Sequence, residues 1–221
     1  MIKRVLPALL SLVLVFIAST TSAQDESAAE GPKKFYLGLG LSYAISNIKL
    51  GQQGDAMSVY ENVENAKLGN AKGFNAKLGF LLKDDLFWEI DLNYLHDFYW
   101  ERNISTAGVT VVGHEDVDIL TVIFSGKYLF PLDFWGVQPY LTAGVGAMYY
   151  SDERYFVNSY FGYYTQDYPH DFQPCIKAGL GVEYPITNAI AVTVEASYVK
   201  AFLRLDYVNY YNLGANILFY F

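Results

Sequence analysis

From Leu86 to Glu101 the chain alternates with a period of two. Leu86, Trp88, Ile90, Leu92, Tyr94, His96, Phe98 and Trp100 share one face, and Glu89, Asp91, Asn93, Asp97 and Glu101 share the other. Successive side chains of a β-strand point to opposite sides, so a run of this kind reads as a strand whose two faces meet unlike surroundings. The same period recurs at 35–45, where Phe35, Leu37, Leu39, Leu41, Tyr43 and Ile45 oppose Gly38, Gly40, Ser42 and Ala44. It recurs again at 73–82, where Phe74, Ala76, Leu78, Phe80 and Leu82 oppose Gly73, Asn75, Lys77 and Gly79. Further runs fall at 116–130, 137–150, 174–184, 190–199 and 209–221, which predicts eight strands. Ile119 and Ile123 blur the contrast in the fourth run, and both faces of the fifth are small or apolar.

No segment after the leader supplies 18 consecutive apolar residues, so a helical membrane span is excluded. The connections alternate in length. Lys83-Asp84-Asp85 and Pro185 to Ala189 are tight and Pro131 to Gly136 is moderately short, while 46–71, 101–115 and 151–173 are long and 200–208 is intermediate. Short turns at one end and long loops at the other is the pattern of a transmembrane β-barrel. A soluble ligand-binding barrel also alternates, but it turns its polar face to water and needs many Lys and Glu there. Here the non-apolar face is mostly Gly, Ala, Ser, Thr and Asn, small residues that suit a crowded eight-stranded interior. The large apolar face is therefore assigned to lipid.

Composition sharpens this assignment. Only 17% of the 221 residues are charged, while 17% are aromatic and 20 are Tyr. The aromatics bunch at strand ends: Phe35, Tyr36, Phe80, Phe87, Trp88, Tyr128, Phe130, Tyr184 and Phe221 on the turn side, and Tyr43, Phe98, Trp100, Tyr149, Tyr198 and Tyr211 on the loop side. Two such bands are the interfacial girdles of a membrane barrel. A formal charge of −8 argues against nucleic acid as a partner.

Residues 1–23 read as a secretory signal, with basic Lys3 and Arg4, an apolar stretch from Val5 to Ala18 and a small-residue cleavage site at Thr21-Ser22-Ala23. Residues 24–34 form a short periplasmic lead-in, and 35–221 the barrel. The single Cys175 reads as a buried strand residue, with no internal disulfide open to it.

The runs VQPYLTAGVGAMYY at 137–150 and KAGLGVEYPITNAIAVTVEASY at 177–198, and a last strand closing on Phe219-Tyr220-Phe221, resemble the OmpA-like and opacity-type eight-stranded outer-membrane barrels. The resemblance implies an all-β, antiparallel, up-and-down transmembrane barrel in a Gram-negative outer membrane, reached after export to the periplasm. It also implies that Phe219 and Phe221 form the signal presented to the barrel-assembly machinery. Two-domain members carry a peptidoglycan-binding domain after the barrel, and this sequence ends at Phe221, so cell-wall anchoring is not expected.

The inward charges are expected to be Lys77, Glu89, Asp91, Asp97, Lys127, Lys177, Glu183 and Glu195. A turn centred on Asp84 sets Lys77 opposite Asp91, and one centred on Thr187 sets Lys177 opposite Ser197 with Glu195 diagonal. A salt-bridged plug is preferred to an ion-conducting bore, given the narrow interior. A pore for ions or small solutes is the alternative. An outer-membrane lipid-modifying enzyme is disfavoured, because none of His96, His114 and His170 has a Ser two residues away on its strand face. His114-Glu115-Asp116 with Asp118 reads as a solvated loop rather than a metal site, and no cofactor or catalytic residue is expected. The Tyr-dense stretch with Tyr155, Phe156, Tyr160, Phe161, Tyr163, Tyr164 and Tyr168 has the Tyr, Ser, Gly and Asn mix of binding loops. The expectation is a structural surface protein in contact with outer-membrane lipid, whose loops bind a surface ligand or host receptor.

Overall fold

The computed structural model describes residues 35–48, 68–83, 85–106, 109–132, 135–158, 162–167, 171–203 and 208–221. The leader and lead-in expected at 1–34 fall outside them, as do Tyr160, Phe161 and Tyr168. The strands are β1 (Phe35–Ser46), β2 (Ala71–Lys83), β3 (Leu86–Thr106), β4 (Val109–Leu129), β5 (Gln138–Asn158), β6 (Gly162–Asp167), β7 (Asp171–Pro185), β8 (Ile190–Ala201) and β9 (Asn209–Tyr220). Each ladder is antiparallel, and the order β1-β2-β3-β4-β5-β7-β8-β9 closes through β1 and β9 into a ring of eight. The segment β6 pairs with β5 along the same edge as β7 and prolongs that position of the ring beyond its loop-side end.

The alternation read from the sequence becomes two faces of one wall. Leu41, Phe74, Ile90, Phe124, Val145, Leu180, Val194 and Leu213 lie exposed on the outside. Asn75, Asp91, Ser125, Lys177, Glu195 and Asn212 lie buried on the inside. Ile119 and Ile123, which blurred the fourth run, both point inward and are buried. So does Cys175. Among the described residues, closure pairs each of the eight ring strands on both edges through the membrane-crossing stretch, so no row of unpaired backbone groups there is left to face an apolar solvent.

Three strands run past the ends foreseen for them. Crossing a bilayer takes about 9–11 tilted residues, and β1, β8 and β9 have 12 each. Strands β3, β4 and β5 have 21. The stretches expected as loops at 101–115 and 151–173 are largely ladder, from Phe98↔Val117 to Thr106↔Val109 and from Asp118↔Ser151 to Val111↔Asn158. Ile104, Val109, Val111, Val112, Tyr155, Phe156 and Val157 supply the β-branched and aromatic residues that favour a strand. The interspersed charges had hidden the period.

A bulge in β3 corrects another expectation. Leu95 pairs with Ile119 but Phe98 with Val117, so His96 and Asp97 together face Asp118. Asp97 takes a left-handed φ of 73°, which Asp tolerates better than most residues. One extra residue reverses the parity. Asp97 is therefore exposed rather than an interior charge, and Phe98 is buried against Tyr210 instead of joining the outer girdle. Tyr36 and Phe87, assigned to the turn-side girdle, point inward too. Their even and odd positions place them with Gly38 and Glu89, so the alternation itself carried the right answer.

The turn after β7 sits one position later than expected. Thr187 Oγ accepts from the backbone N–H groups of Ala189 and Ile190, and Ile186 and Thr187 N–H donate to the Ile190 carbonyl. This geometry centres the hairpin beyond Thr187, so Lys177 pairs with Val199, and Gly179 takes the place opposite Ser197.

Candidate functional site

Alternation sends every second residue into a bore too narrow to hydrate them all, so inward charges must find one another. They do so across the barrel. Lys77 on β2 stands opposite Asp91 on β3, as the Asp84 turn requires. Its Nζ lies 3.1 Å from Glu89, 3.9 Å from Asp91 and 2.7 Å from Glu195 on the far wall. Lys177 on β7 binds Asp91 and lies 2.6 Å from the other oxygen of Glu195. Lys127 on β4 pairs with Glu183 on β7 at 2.7 Å. All seven side chains are buried.

Three tyrosines complete the belt, and their role was missed at the level of sequence. The hydroxyl of Tyr36 donates to Glu89 at 2.5 Å, that of Tyr140 to Glu195 at 3.2 Å, and that of Tyr220 to Glu183. The Lys127 ammonium also lies 4.5 Å from the Tyr140 ring centroid and 5.0 Å from that of Tyr36. Tyr36 comes from β1, Tyr140 from β5 and Tyr220 from β9, so each of the eight ring strands contributes a group. A hydrogen bond to a charged group is worth about 1.5–3 kcal/mol net. The phenols therefore satisfy carboxylate lone pairs that ammonium groups alone would leave bare.

Space for two of these rings is made by glycine. Tyr36 lies opposite Gly79 and Tyr140 opposite Gly181. A Cβ on Gly79 would stand 2.2 Å from the Tyr36 ring, and one on Gly181 2.4 Å from that of Tyr140. Any side chain at either position would displace the ring whose hydroxyl serves the belt.

Apolar clusters close the interior at both ends. On the turn side, the rings of Tyr36, Tyr140 and Tyr220 pack with Phe87, Leu129, Ala191 and Leu218. Each Tyr therefore has its ring in the cap and its hydroxyl in the belt. On the loop side, Leu95, Phe98, Val117, Ile119, Ile123, Met148, Tyr150, Cys175, Val199 and Tyr210 form a larger cluster. Along the axis the interior therefore holds an apolar cluster, the charge belt and a second apolar cluster.

On the outside, at the loop end of the membrane-crossing stretch, the bulge places His96 beside Asp118. Nδ1 of His96 lies 2.5 Å from Asp118 Oδ1, and Tyr94 donates to Asp118 Oδ2 at 2.8 Å. The His96 ring stacks on Tyr94 at 6.4 Å. The hydrogen bond that the His96 ring donates to the Asp118 carboxylate raises the His96 pKa above its ordinary value, against a smaller opposing effect of burial. Asp116 joins them, with one donor atom from each of the three residues within 4.8 Å of the others. Asp118 is already engaged by His96 and Tyr94, which makes the group an ion pair at the membrane boundary. The side chains of His114, Glu115 and His170 lie outside the described residues.

The Tyr-dense stretch builds the β5–β6 hairpin. Phe156 pairs with Tyr164, Val157 with Tyr163 and Tyr155 with Thr165, which extends the wall beyond the span.

Comparison with known proteins places this geometry. A family model described as the outer membrane protein beta-barrel domain matches residues 10–221. Among solved structures, Neisserial surface protein A is similar at 18% identity and a TM-score of 0.53, over 85% of this chain and 97% of its own. The attachment invasion locus protein Ail of Yersinia pestis is similar at 12% identity and a TM-score of 0.50, over 86% of this chain and 99% of its own. A search of curated protein sequences returned no match.

Proposed function

The chain belongs to the outer membrane protein beta-barrel domain family, and from that premise we propose that it is a non-conducting structural protein of the cell surface whose extended hairpins attach a partner. Its place is the Gram-negative outer membrane, with the apolar outer face in lipid.

The observation that carries the closed reading is the belt of Lys77, Lys127, Lys177, Glu89, Asp91, Glu183 and Glu195 between two apolar clusters. Opening a path would break several buried ion pairs together and leave charges uncompensated, and losing one partner from such a pair costs about 3–5 kcal/mol. Planar-bilayer recording of refolded protein tests it. A flat baseline is the expected result, and steady unitary current would replace this reading with a pore.

The attachment reading rests on the wall formed by β3, β4, β5 and β6, which continues past the crossing length, and on the aromatic content of 155–168. One protein of similar fold is named for attachment. Here it is the projecting hairpin that supports the same use. Deleting 155–168 is expected to abolish binding of whole cells to a host surface while heat-modifiable gel migration persists. Equal binding by deletion and parent cells would refute it. Residues 1–23 act in this scheme as the export signal, and Phe219 and Phe221 as the assembly signal.

A further inference from the structure

Between the charge belt and the loop-side apolar cluster lies a third tier. Asn75 stands two residues from Lys77 on β2, Asn93 two from Asp91 on β3, and Ser197 two from Glu195 on β8. Ser42 on β1 and Asn212 on β9 complete an unbroken arc over five neighbouring strands, β8-β9-β1-β2-β3. The ladders set Asn75 opposite Asn93, Asn212 opposite Ser197, and Ser42 opposite Gly214. All five polar side chains are 5% exposed.

Each of them turns inward a buried oxygen that accepts no hydrogen bond: Ser42 Oγ, Asn75 Oδ1, Asn93 Oδ1, Ser197 Oγ and Asn212 Oδ1. Buried polar atoms in folded proteins almost always have a partner. Thr142, Tyr210 and Asn216 among the described residues also carry an unpaired oxygen, but five such oxygens follow one another along this arc, where one bound species can serve several of them. For Asn75 the orientation is fixed by chemistry. Its Nδ2 donates to Asp91 Oδ1 at 3.5 Å, and a carboxylate can only accept, so Oδ1 is the atom left facing the tier. Room exists at the middle of the arc. A Cβ placed on Gly214 would meet Asn216 Nδ2 at 3.8 Å and Asn212 Nδ2 and the Leu41 carbonyl oxygen at 3.9 Å, so the space takes a methyl, and the two amide groups would have to turn their oxygens towards an ion there.

The charge balance identifies the species. The belt beside the arc holds four carboxylates against three ammonium groups, a formal surplus of one negative charge in a closed, poorly solvated space. Protonating a carboxylate would cancel the charge but leave the five oxygens unserved. Water would serve the oxygens but leave the charge. A hard cation does both, since amide and hydroxyl oxygens are its natural ligands. A divalent ion would overshoot the charge and would need carboxylates that the Lys and Tyr groups already occupy.

We propose that the arc of Ser42, Asn75, Asn93, Ser197 and Asn212 binds one monovalent alkali cation, Na⁺ or K⁺, with water completing its shell. The ion is taken up during folding and locked in by the apolar cap. The inference rests on the interior being closed, and its readout differs from that of the conductance test. A pore would announce itself as current, while this site shows itself as bound ion in a protein that carries none.

Refolding from urea into detergent in rubidium chloride, followed by desalting into choline chloride, tests it directly. About one rubidium per chain by elemental analysis is the expected result. Rubidium well below one per chain overturns the proposal, as does equal retention by Asn93→Leu/Asn212→Leu. Gly214→Ala provides a variant with space for its methyl in the fold, and it too should lose rubidium. In parallel, the unfolding midpoint of the parent should be several degrees higher when refolded in sodium or potassium chloride than in choline chloride at equal ionic strength. Identical midpoints in all three salts also overturn it.

Discussion

Lys77 and Glu195 are 118 positions apart in the chain and meet at 2.7 Å in the centre of the barrel. The contact crosses the bore instead of following a ladder, and it exists only because the ring is closed. Glu195 holds Lys77 and Lys177 with different oxygens and accepts from Tyr140 as well, which makes it the node of the belt.

Removing that node should be the most damaging change available inside the barrel. Glu195→Ala leaves two buried ammonium groups short of a partner, and a loss of about 3–5 kcal/mol is expected. Urea unfolding in micelles, followed by gel migration, measures it. Replacing Lys77, Lys177, Glu89, Asp91 and Glu195 together with apolar residues of similar volume, which leaves the Lys127–Glu183 pair intact, should cost less than the single change. A single variant as stable as the parent would show that the belt bears no load.

Gly79→Ala should destabilise the fold through Tyr36, because the added methyl falls 2.2 Å from its ring. Overpacking of this kind costs about 1–3 kcal/mol. The double variant Gly79→Ala/Tyr36→Ala should be less destabilised than the sum of the two single changes, because the methyl meets no ring once Tyr36 is truncated. Strict additivity in the double-mutant cycle would rule out the ring-over-glycine relationship.

Leu180, 63% exposed at the middle of β7, is assigned to lipid. Leu180→Arg should therefore cost about 2–4 kcal/mol in a bilayer. The change should be almost neutral if that face meets water. Folding titrations in vesicles decide between the two.

The His96–Asp118 pair gives a pH dependence whose sign follows from the raised pKa. A histidine held above its unfolded value of about 6.5 binds its proton more tightly when folded. Its contribution is fully present below that value and is lost as pH rises through the raised folded value. The side chain is exposed, so the stability change should be small and reduced by salt. NMR titration of the imidazole should show the elevated midpoint, and Asp118→Asn should return it towards the ordinary value.

Much of the architecture was legible in the chain because the period of two is a local property. Leu86 to Leu95 needed no knowledge of partners to be read as a strand with one lipid face, and the Asp84 turn alone set Lys77 opposite Asp91. Two of the failures trace to single residues. The bulge at His96 and Asp97 reversed the faces beyond it, moving Asp97 out and Phe98 in. The Thr187 hydrogen bonds displaced a turn and with it the partner of Lys177. The long β3–β5 extensions were obscured because their charges break the alternation that marks a strand.

The sequence by itself determined the period, the apolar outer face, the places of the tight turns to within a residue and the identity of all seven belt charges. These follow from local geometry and from the exclusion of charge from lipid. Tertiary structure alone decided which charges meet across the bore, that Tyr36, Tyr140 and Tyr220 serve them, and that five buried oxygens line one arc of neighbouring strands without hydrogen-bond partners. Those relationships depend on ring closure and on the register of every ladder at once. A one-residue slip at any of them would turn a buried lysine to lipid.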